Sequence, residues 1–507
     1  MIRHKIKKKN IMLGPVITII ILTALVVIFS AIFSLLGIEG QKTEIINNTL
    51  QTSLTTVNNI LTKDGIKYVI SNALVNFKLF EPVILLIISL IALGIGEASG
   101  LFKAVFSSLQ KLKPNTMILF TIFVGVISSF VGEYSYILLL PLTGIIYKYA
   151  GKKPMLGIIT MFLGITLGYS TGLVPSYDDY LLGMLSQKAA TIDVDKDYVF
   201  NIFSNLYIMI ASVFIITFFG SNIIKKHLAP KIIKTEVEED DSLVISKKAL
   251  YYSNLAFGLF VVAILYMIIP GFYSSGILLG EGESYIVRLW NDGSPFKDGF
   301  MYIIVLIMMV CGFIYGYISK NIKNSTEYSV GLSKNFEGMG YLFVLLFFTS
   351  QLIGLLEYTN LGEVVAVNLF DLMSKLPFSG IALIILMFGV IILVSILIPS
   401  TIIKWSLASP ILVPLFMRSN ITPDFTQFIF KVADGIGKSI TPLFIYFIVM
   451  LAFLQKYNTK EENKITIFGT IKLMLPSILL ISGIWLLIVI GWYIIGLPIG
   501  IGTYSTL

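Results

Sequence analysis

Charged side chains stand inside strongly apolar stretches of this chain, where burying a charge is costly. They are Glu133, Asp178, Asp179, Lys404, Lys431, Asp434 and Lys438. Because ionisable residues within membrane segments mark substrate and ion pathways, we expect these carboxylates and ammonium groups to bind and move charged species. A structural interpretation stands beside this one. Asp179 and Lys404 fit interfacial residues that extend toward water, and Glu133 fits the cap of a helix.

The scarce histidines and cysteine argue against metal or histidine-based chemistry. His4 and His227 lie in lysine-rich polar stretches, and Cys311 is the single cysteine. We therefore expect no metal, no cofactor and no enzymatic activity. An intramembrane enzyme is a remote alternative, because Tyr177-Asp178 resembles half of an aspartyl protease site. The Gly-x-Gly that should precede the second aspartate is absent before Asp434.

The elements that position these residues must be transmembrane helices. Of 507 residues, 56% are hydrophobic and 13% are charged, whereas soluble domains carry about 25% charged residues. Apolar runs of about 20 residues, the length that crosses a bilayer, recur from end to end. Lipid leaves backbone groups no water to bond, so such runs must be helical. The sequence predicts an all-α polytopic membrane protein of the bacterial inner membrane.

Lysine-rich segments predict which ends face the cytoplasm, with the N-terminus inside. This distribution explains the +8 net charge without nucleic-acid binding. The predicted cytoplasmic segments are residues 3–9, 103–113, 148–153, 225–248, 320–334 and 456–472. The predicted external segments are residues 193–197 and 281–298.

Two blocks do not fit simple crossings and predict re-entrant hairpins. Residues 115–148 have lysines on both sides and break at 128–133, and residues 378–417 break at 395–400. A helix with its own interruption follows each block. These helices are residues 155–190, broken at 172–179, and residues 425–455, broken at 434–442. Hairpin then broken helix, twice and in opposite orientation, predicts an inverted-repeat transporter with nine spans and two hairpins. Pairs of short true spans are the alternative.

The chain then divides into six predicted regions. They are residues 1–38 (basic N-terminus and first span), 39–79 (external loop), 80–223 (first repeat), 224–248 (cytoplasmic loop), 249–320 (two connecting spans) and 335–497 (second repeat).

Broken helices expose N–H groups and carbonyls, which could hold an anionic substrate and a coupling cation. Hydroxyl groups at the hairpin tips would contribute to the same site, among them Ser129, Ser395 and Ser400. Trp405 follows the second tip, where it could stack on an aromatic ligand or serve in packing.

The motifs of the second half resemble the AbgT family of aminobenzoyl-glutamate transporters. They are Ser419-Asn-Ile-Thr-Pro-Asp-Phe-Thr-Gln427, Asp434, Ile440-Thr-Pro-Leu-Phe-Ile-Tyr446 and Lys404-Trp405. The resemblance implies a homodimer of nine-span protomers with two opposed hairpins. It also implies ion-driven import of p-aminobenzoyl-glutamate or export of sulfonamide antimetabolites. By position, Asp178, Trp405, Pro423 and Asp434 match residues around the family's substrate and ion sites.

The departures from the family pattern concern the ion site. Ser129 and Ser395 replace asparagines, Glu133 replaces an aspartate, Lys431 an arginine and Lys438 an asparagine. Sodium prefers oxygen ligands, and Lys438 follows Asp434 by one helical turn. We hypothesise that the Lys438 ammonium takes the place of the cation.

A buried lysine loses its proton more easily than a solvated one, which favours proton coupling over sodium coupling. Lys431 offers a point charge where arginine offers a fork, so the anion could differ from the family's substrate. The expected partners are a small anion, a proton, membrane lipid and a second copy. Efflux of antimetabolites, and a diverged member that only binds or scaffolds, are alternatives.

Overall fold

The computed structural model describes residues 13–46, 49–232, 242–271, 275–458 and 465–507, and within them it is almost entirely helical. The helices of the first half are α1 (Pro15–Leu35), α2 (Lys63–Lys78), α3 (Glu81–Ala98), α4 (Leu101–Phe106), α5 (Pro114–Ile127), α6 (Tyr134–Tyr149), α7 (Pro154–Leu167), α8 (Tyr177–Asp193), α9 (Leu206–His227) and α10 (Lys247–Ile268). Those of the second half are α11 (Tyr285–Trp290), α12 (Pro295–Ser319), α13 (Ser325–Ser333), α14 (Gly340–Thr359), α15 (Leu361–Lys375), α16 (Gly380–Leu397), α17 (Thr401–Arg418), α18 (Pro423–Lys438), α19 (Ile445–Lys456) and α20 (Ile467–Ile495). Two small antiparallel pairs complete the fold, β1 (Glu39–Ile46) with β2 (Thr49–Thr56) and β3 (Pro498–Gly500) with β4 (Thr503–Tyr504).

Nine helical stretches in the described ranges are long and apolar enough to cross a membrane. They are Pro15–Leu35, Lys63–Ala98, Pro114–Val131, Leu206–Lys231, Lys247–Ile268, Pro295–Ser319, Gly340–Thr359, Gly380–Leu397 and Ile467–Ile495. The number equals the predicted one, but two members differ. Helices α5 and α16, predicted as hairpin arms, qualify by length. The two broken helices do not, because their halves are only 12 to 17 residues long. Re-entry of the hairpins stays a prediction.

Among the described residues, several of the segments predicted to be cytoplasmic contact one another. The Gln110 amide donates to the Tyr149 carbonyl, which joins the start of α5 to the end of α6. Lys153 donates to Ile232, and Lys456 to Asn335, at 2.6 and 2.7 Å. This grouping agrees with the positions of the lysine-rich segments. That they face the cytoplasm stays a prediction. Residues 1–12, 233–241 and 459–464, which hold parts of these segments, lie outside the described residues.

Residues 39–79, predicted as an external loop, are more ordered than that. They form the β1–β2 hairpin followed by α2. The hairpin packs on α15, where the Asn368 amide donates to the Glu39 carbonyl at 3.1 Å. Each strand has eight residues, but neither shows the alternation of apolar and polar residues that marks a half-buried strand, so the sequence does not indicate them.

The helix breaks lie close to their predicted positions but do not coincide with them. The first spans residues 168–176 and the second residues 439–444. The second break therefore begins later than predicted: Asp434 lies inside α18, and Lys438 is its last residue, directly before the break. The two glycines between them serve close packing. A Cβ on Gly435 would lie 2.3 Å from the Thr166 carbonyl oxygen, and one on Gly437 2.4 Å from the Ser395 Cβ. Helix α18 is thus pressed against α7 and α16.

Candidate functional site

A cavity of about 420 Å³, which we call the central cavity, lies where four helices begin. Its lining includes residues 132–134 at the start of α6, 176–178 of α8, 399–402 of α17 and 443–445 of α19. The first turn of a helix has N–H groups without intrahelical partners and carries a partial positive charge. Convergence of four such ends makes the cavity suitable for an anion.

Aromatic rings form much of the cavity wall. They are Phe130, Tyr134, Tyr136, Tyr169, Tyr177, Trp290 and Phe444. The rings of Tyr136 and Tyr446 stack with centroids 4.7 Å apart, and Phe444 meets both edge-on. This wall joins the two predicted repeats, because Tyr136 belongs to α6 while Phe444 and Tyr446 flank the start of α19. It can offer ring faces to an aromatic ligand.

Behind the cavity, one carboxylate gathers four polar side chains, which together we call the Asp434 cluster. Asp434 and Lys404 are both fully buried and form an ion pair. The Lys438 ammonium lies 3.2 Å from the other carboxylate oxygen. The Ser395 hydroxyl donates to Asp434 at 2.9 Å, and the Thr401 hydroxyl donates as well. Helices α16, α17 and α18 each contribute to this cluster.

The two lysines of the Asp434 cluster differ in access. Lys404 is enclosed on all sides and also donates to the Ser395 hydroxyl at 3.0 Å. Lys438 lines the central cavity and is 7% exposed. Two ammonium groups share one carboxylate, so the cluster carries a net positive charge when all three groups are ionised. Of the two lysines, only Lys438 therefore has a side chain that reaches the cavity.

The alternative interpretation of Lys404 and Asp179 as interfacial residues is wrong, because both are buried and paired. Asp179 is 8% exposed and accepts a bond from the Lys431 ammonium at 2.6 Å. It also belongs to the capping box of α8, in which Ser176 and Asp179 bond each other's backbone N–H groups. Lys431 therefore binds a carboxylate of the protein. It does not line the central cavity, where a substrate carboxylate would lie.

Tyr169, which the sequence did not indicate, lies between the Asp434 cluster and the Lys431–Asp179 pair. Its hydroxyl donates to Asp178 at 2.6 Å, and both residues line the cavity. The ammonium groups of Lys431 and Lys438 lie 4.8 and 4.4 Å from its ring centroid, within the range of cation–π attraction. A tyrosine at the end of an apolar helix carries no sequence signal for this role. Thr401 was also missed, although it stands one turn before Lys404.

The remaining predicted residues fall into two groups. Ser129, Glu133 and Ser400 line the cavity together with Asp178 and Lys438. Ser129 donates to the Thr171 carbonyl at 2.5 Å, and Glu133 accepts a bond from the Tyr446 hydroxyl at 2.7 Å. Ser400 caps α17. Glu133 holds the N-cap position of α6, but its side chain makes no cap bond.

Trp405 and Pro423 lie away from the cavity. Trp405 is fully buried, and its indole N–H donates to the Leu182 carbonyl and the Ser186 hydroxyl at 3.1 and 3.0 Å. Its ring packs on Phe430 at 4.5 Å. The packing interpretation therefore describes Trp405, and stacking on a ligand does not. Pro423 opens α18 as its first residue and is buried.

The chain is similar to known transport proteins along almost its whole length. The chain is 27% identical over 504 residues to the p-aminobenzoyl-glutamate transport protein of Escherichia coli (strain K12), covering 97% of this chain and 94% of that protein. Two solved structures are each 26% identical with a TM-score of 0.49. The YdaH transporter of Alcanivorax borkumensis matches 96% of this chain and 100% of its own. MtrF of Neisseria gonorrhoeae, from a class of antimetabolite efflux pumps, matches 97% and 98%.

The pattern that defines the AbgT putative transporter family matches residues 6–507. This span includes every helix described above, the Asp434 cluster and the Lys431–Asp179 pair. The resemblance seen in the sequence is thereby confirmed. The protein belongs to the AbgT family of transporters, an all-α family of multi-pass membrane proteins.

Proposed function

We propose that this protein is a proton-coupled secondary transporter of a small aromatic carboxylate such as p-aminobenzoyl-glutamate. It would work by alternating access as a homodimer in the bacterial inner membrane, with the N-terminus cytoplasmic. The observation that carries the proposal is the occupation of both Asp434 oxygens by lysine ammonium groups.

The substrate class follows from the central cavity. Four helix N-termini and Lys438 attract negative charge, and the aromatic wall suits a benzoyl ring. Glu133 and Asp178 also face the cavity, each holding a tyrosine hydroxyl. These acids can accept hydrogen bonds from an amide or amine of the substrate. The Escherichia coli relative is named for p-aminobenzoyl-glutamate, an amide with one ring and two carboxylates.

The charge count of the Asp434 cluster supports proton coupling. A sodium ion would need carboxylate oxygens that Lys404 and Lys438 already engage. Loss of one proton from Lys438 leaves a neutral Lys404–Asp434 pair, and a neutral buried pair costs less than a net charge. An anion entering the cavity would favour the protonated cluster. Proton and anion binding would thus reinforce each other, as symport requires.

The test is uptake of labelled p-aminobenzoyl-glutamate into proteoliposomes, with proton and sodium gradients imposed separately. We expect uptake to follow the proton gradient and to be unaffected by the sodium gradient. Lys438→Asn should reduce proton-driven uptake at least about tenfold, the loss expected when a charged group that acts in the transport step is removed. Lys297→Gln, which also changes a cavity lysine, should keep proton dependence. A sodium requirement in the wild type would refute the coupling proposal.

Efflux of antimetabolites is the second candidate, because the identity to MtrF is close to that of the Escherichia coli relative. The same cavity would take a sulfonamide, which has an aromatic ring and an anionic form. Transport into inside-out vesicles under an imposed proton gradient distinguishes efflux from uptake. Accumulation of labelled sulfonamide there, without accumulation of p-aminobenzoyl-glutamate in right-side-out vesicles, would favour efflux.

A further inference from the structure

Three segments far apart in the sequence meet at the start of α18, away from the central cavity. They are residues 198–205, residues 422–424 and the strand region 498–505. The Thr503 hydroxyl donates to the Ser204 carbonyl at 2.5 Å, and the Thr422 N–H donates to the Ser505 carbonyl at 3.1 Å. The Asn205 amide donates to the Asp424 carbonyl at 3.0 Å. These bonds bring the segments' side chains into one buried group.

Several buried oxygen atoms of these segments have no hydrogen-bond partner among the described residues. They are Asp424 Oδ1, Asn205 Oδ1, Ser204 Oγ, the Tyr198 hydroxyl and Ser505 Oγ. Asp424 is 3% exposed and Ser204 1%. The Tyr198 and Ser204 hydroxyls face the Asp424 carboxylate but do not form well-aligned hydrogen bonds with it. Asp424, Asn205, Ser204 and Tyr198 are referred to below as the Asp424 cluster.

The Asp424 carboxylate differs from the two buried carboxylates of the transport site. Asp434 and Asp179 each have a lysine within ion-pair distance. In the described parts of the chain, no lysine or arginine forms an ion pair with Asp424. Arg418, the last residue of α17, forms an ion pair with Asp193 instead. A buried carboxylate normally has a cationic partner, because an isolated buried charge is costly.

The donor set around Asp424 indicates the missing partner. One carboxylate, one amide oxygen and two hydroxyls are all hard oxygen ligands, the kind that alkali and alkaline-earth cations prefer. A single negative charge balances a monovalent ion. A divalent site usually gathers more carboxylates. Nitrogen and sulfur ligands are absent from the cluster, which disfavours zinc or copper.

We infer that the Asp424 cluster binds a monovalent cation, with sodium as the ion to test, and that this ion stabilises the protein without driving transport. The ion would tie the segment before α9 to the start of α18. The inference is independent of the proposed proton coupling, because the cluster shares no residue with the central cavity or the Asp434 cluster.

The experiment is thermal unfolding of the purified full-length protein in choline chloride, with sodium chloride titrated in at constant ionic strength and no membrane gradient. The wild type should show a saturable rise in Tm. Asp424→Asn should raise the half-saturating sodium concentration at least about tenfold, because it removes the only charged ligand. Ser204→Ala and Tyr198→Phe should each raise it by a smaller factor.

Ser395→Ala is the matched control, because it removes a buried serine hydroxyl beside Asp434 instead of beside Asp424. Its sodium-dependent rise in Tm should equal that of the wild type. If Asp424→Asn does not fold, Ser204→Ala and Tyr198→Phe decide the matter. A wild type without a sodium-dependent rise would overturn the inference. So would a rise that is undiminished in the cluster variants, or one reproduced by micromolar calcium.

Discussion

Helices α7 and α18 stand at equivalent places in the two predicted repeats, yet they carry opposite chemistry. Each follows a helix pair and ends at a break, and nearly all residues of both are buried. Helix α7 has no charged residue, whereas α18 has Asp424, Lys431, Asp434 and Lys438. In the first repeat the acids Glu133 and Asp178 face the cavity and accept bonds from tyrosine hydroxyls. In the second repeat Asp434 and Lys404 lie behind the cavity and Lys438 reaches its wall, and these three charges pair with one another.

The difference indicates that the two repeats have different roles. Carboxylates held by tyrosine hydroxyls can orient a substrate, because they remain partly available to it. In the proposed function, the charges that pair within α17 and α18 would carry the coupling proton. The following variants test this contrast, beginning with the largest expected effect.

Asp434→Asn should have the largest effect, because it leaves Lys404 and Lys438 buried without their carboxylate. We expect a loss of about 3–5 kcal/mol in the free energy of unfolding, the usual result of breaking a buried ion pair from one side. Uptake should be lost as well. Thermal unfolding in detergent and proteoliposome uptake measure the two. Wild-type stability in this variant would mean that the cluster is not paired as described.

Lys404→Met should cost about 3 kcal/mol, since Lys404 is the enclosed partner of Asp434. Lys438→Met is the matched variant, and its cost should be under about 1 kcal/mol because the neutral Lys404–Asp434 pair survives. Proton-driven uptake should nevertheless be lost in Lys438→Met. Equal destabilisation by the two substitutions would contradict the different access that we assign to these lysines.

Lys431→Met should cost about 2 kcal/mol, less than Asp434→Asn or Lys404→Met, because Asp179 keeps its bonds to Ser176. Lys431→Arg restores the positive charge and should recover most of the lost stability. The KM for substrate should change little in both, since Lys431 does not line the cavity. A large rise in KM for Lys431→Met alone would show that Lys431 meets the substrate after all.

Trp405→Phe should have the smallest effect on transport. It should cost about 1–2 kcal/mol of stability, because it removes the indole N–H bonds to α8 and leaves a small cavity beside the smaller ring. The aromatic packing on Phe430 is kept. Comparison of KM for p-aminobenzoyl-glutamate with the wild type is the decisive measurement, and we expect no change. A severalfold higher KM with unchanged Tm would revive the interpretation of Trp405 as a ligand-stacking residue.

Much of the fold could be predicted from the sequence, because helices in lipid leave a strong compositional signal. The contact between Asp434 and Lys438 also followed from their spacing of one helical turn, and they lie 3.2 Å apart. The pairing of Lys404 with Asp434 could not be predicted, since the two residues are 30 positions apart and belong to different helices. The second break was placed too early because Gly435 and Gly437 look like helix breakers. In fact they allow close helix packing.

The bonds at the start of α18 have a consequence for biosynthesis. Thr422 caps this helix, and its hydroxyl donates to the Tyr504 carbonyl, which lies 82 residues further along the chain. Helix α20 stands between the two positions and must be inserted before they can meet. The translating ribosome therefore completes α18 well before the support of its first turn exists. Until then the Thr422 hydroxyl lacks its acceptor on Tyr504, so the first turn of α18 depends on contacts with earlier segments, such as the bond from Asn205 to the Asp424 carbonyl.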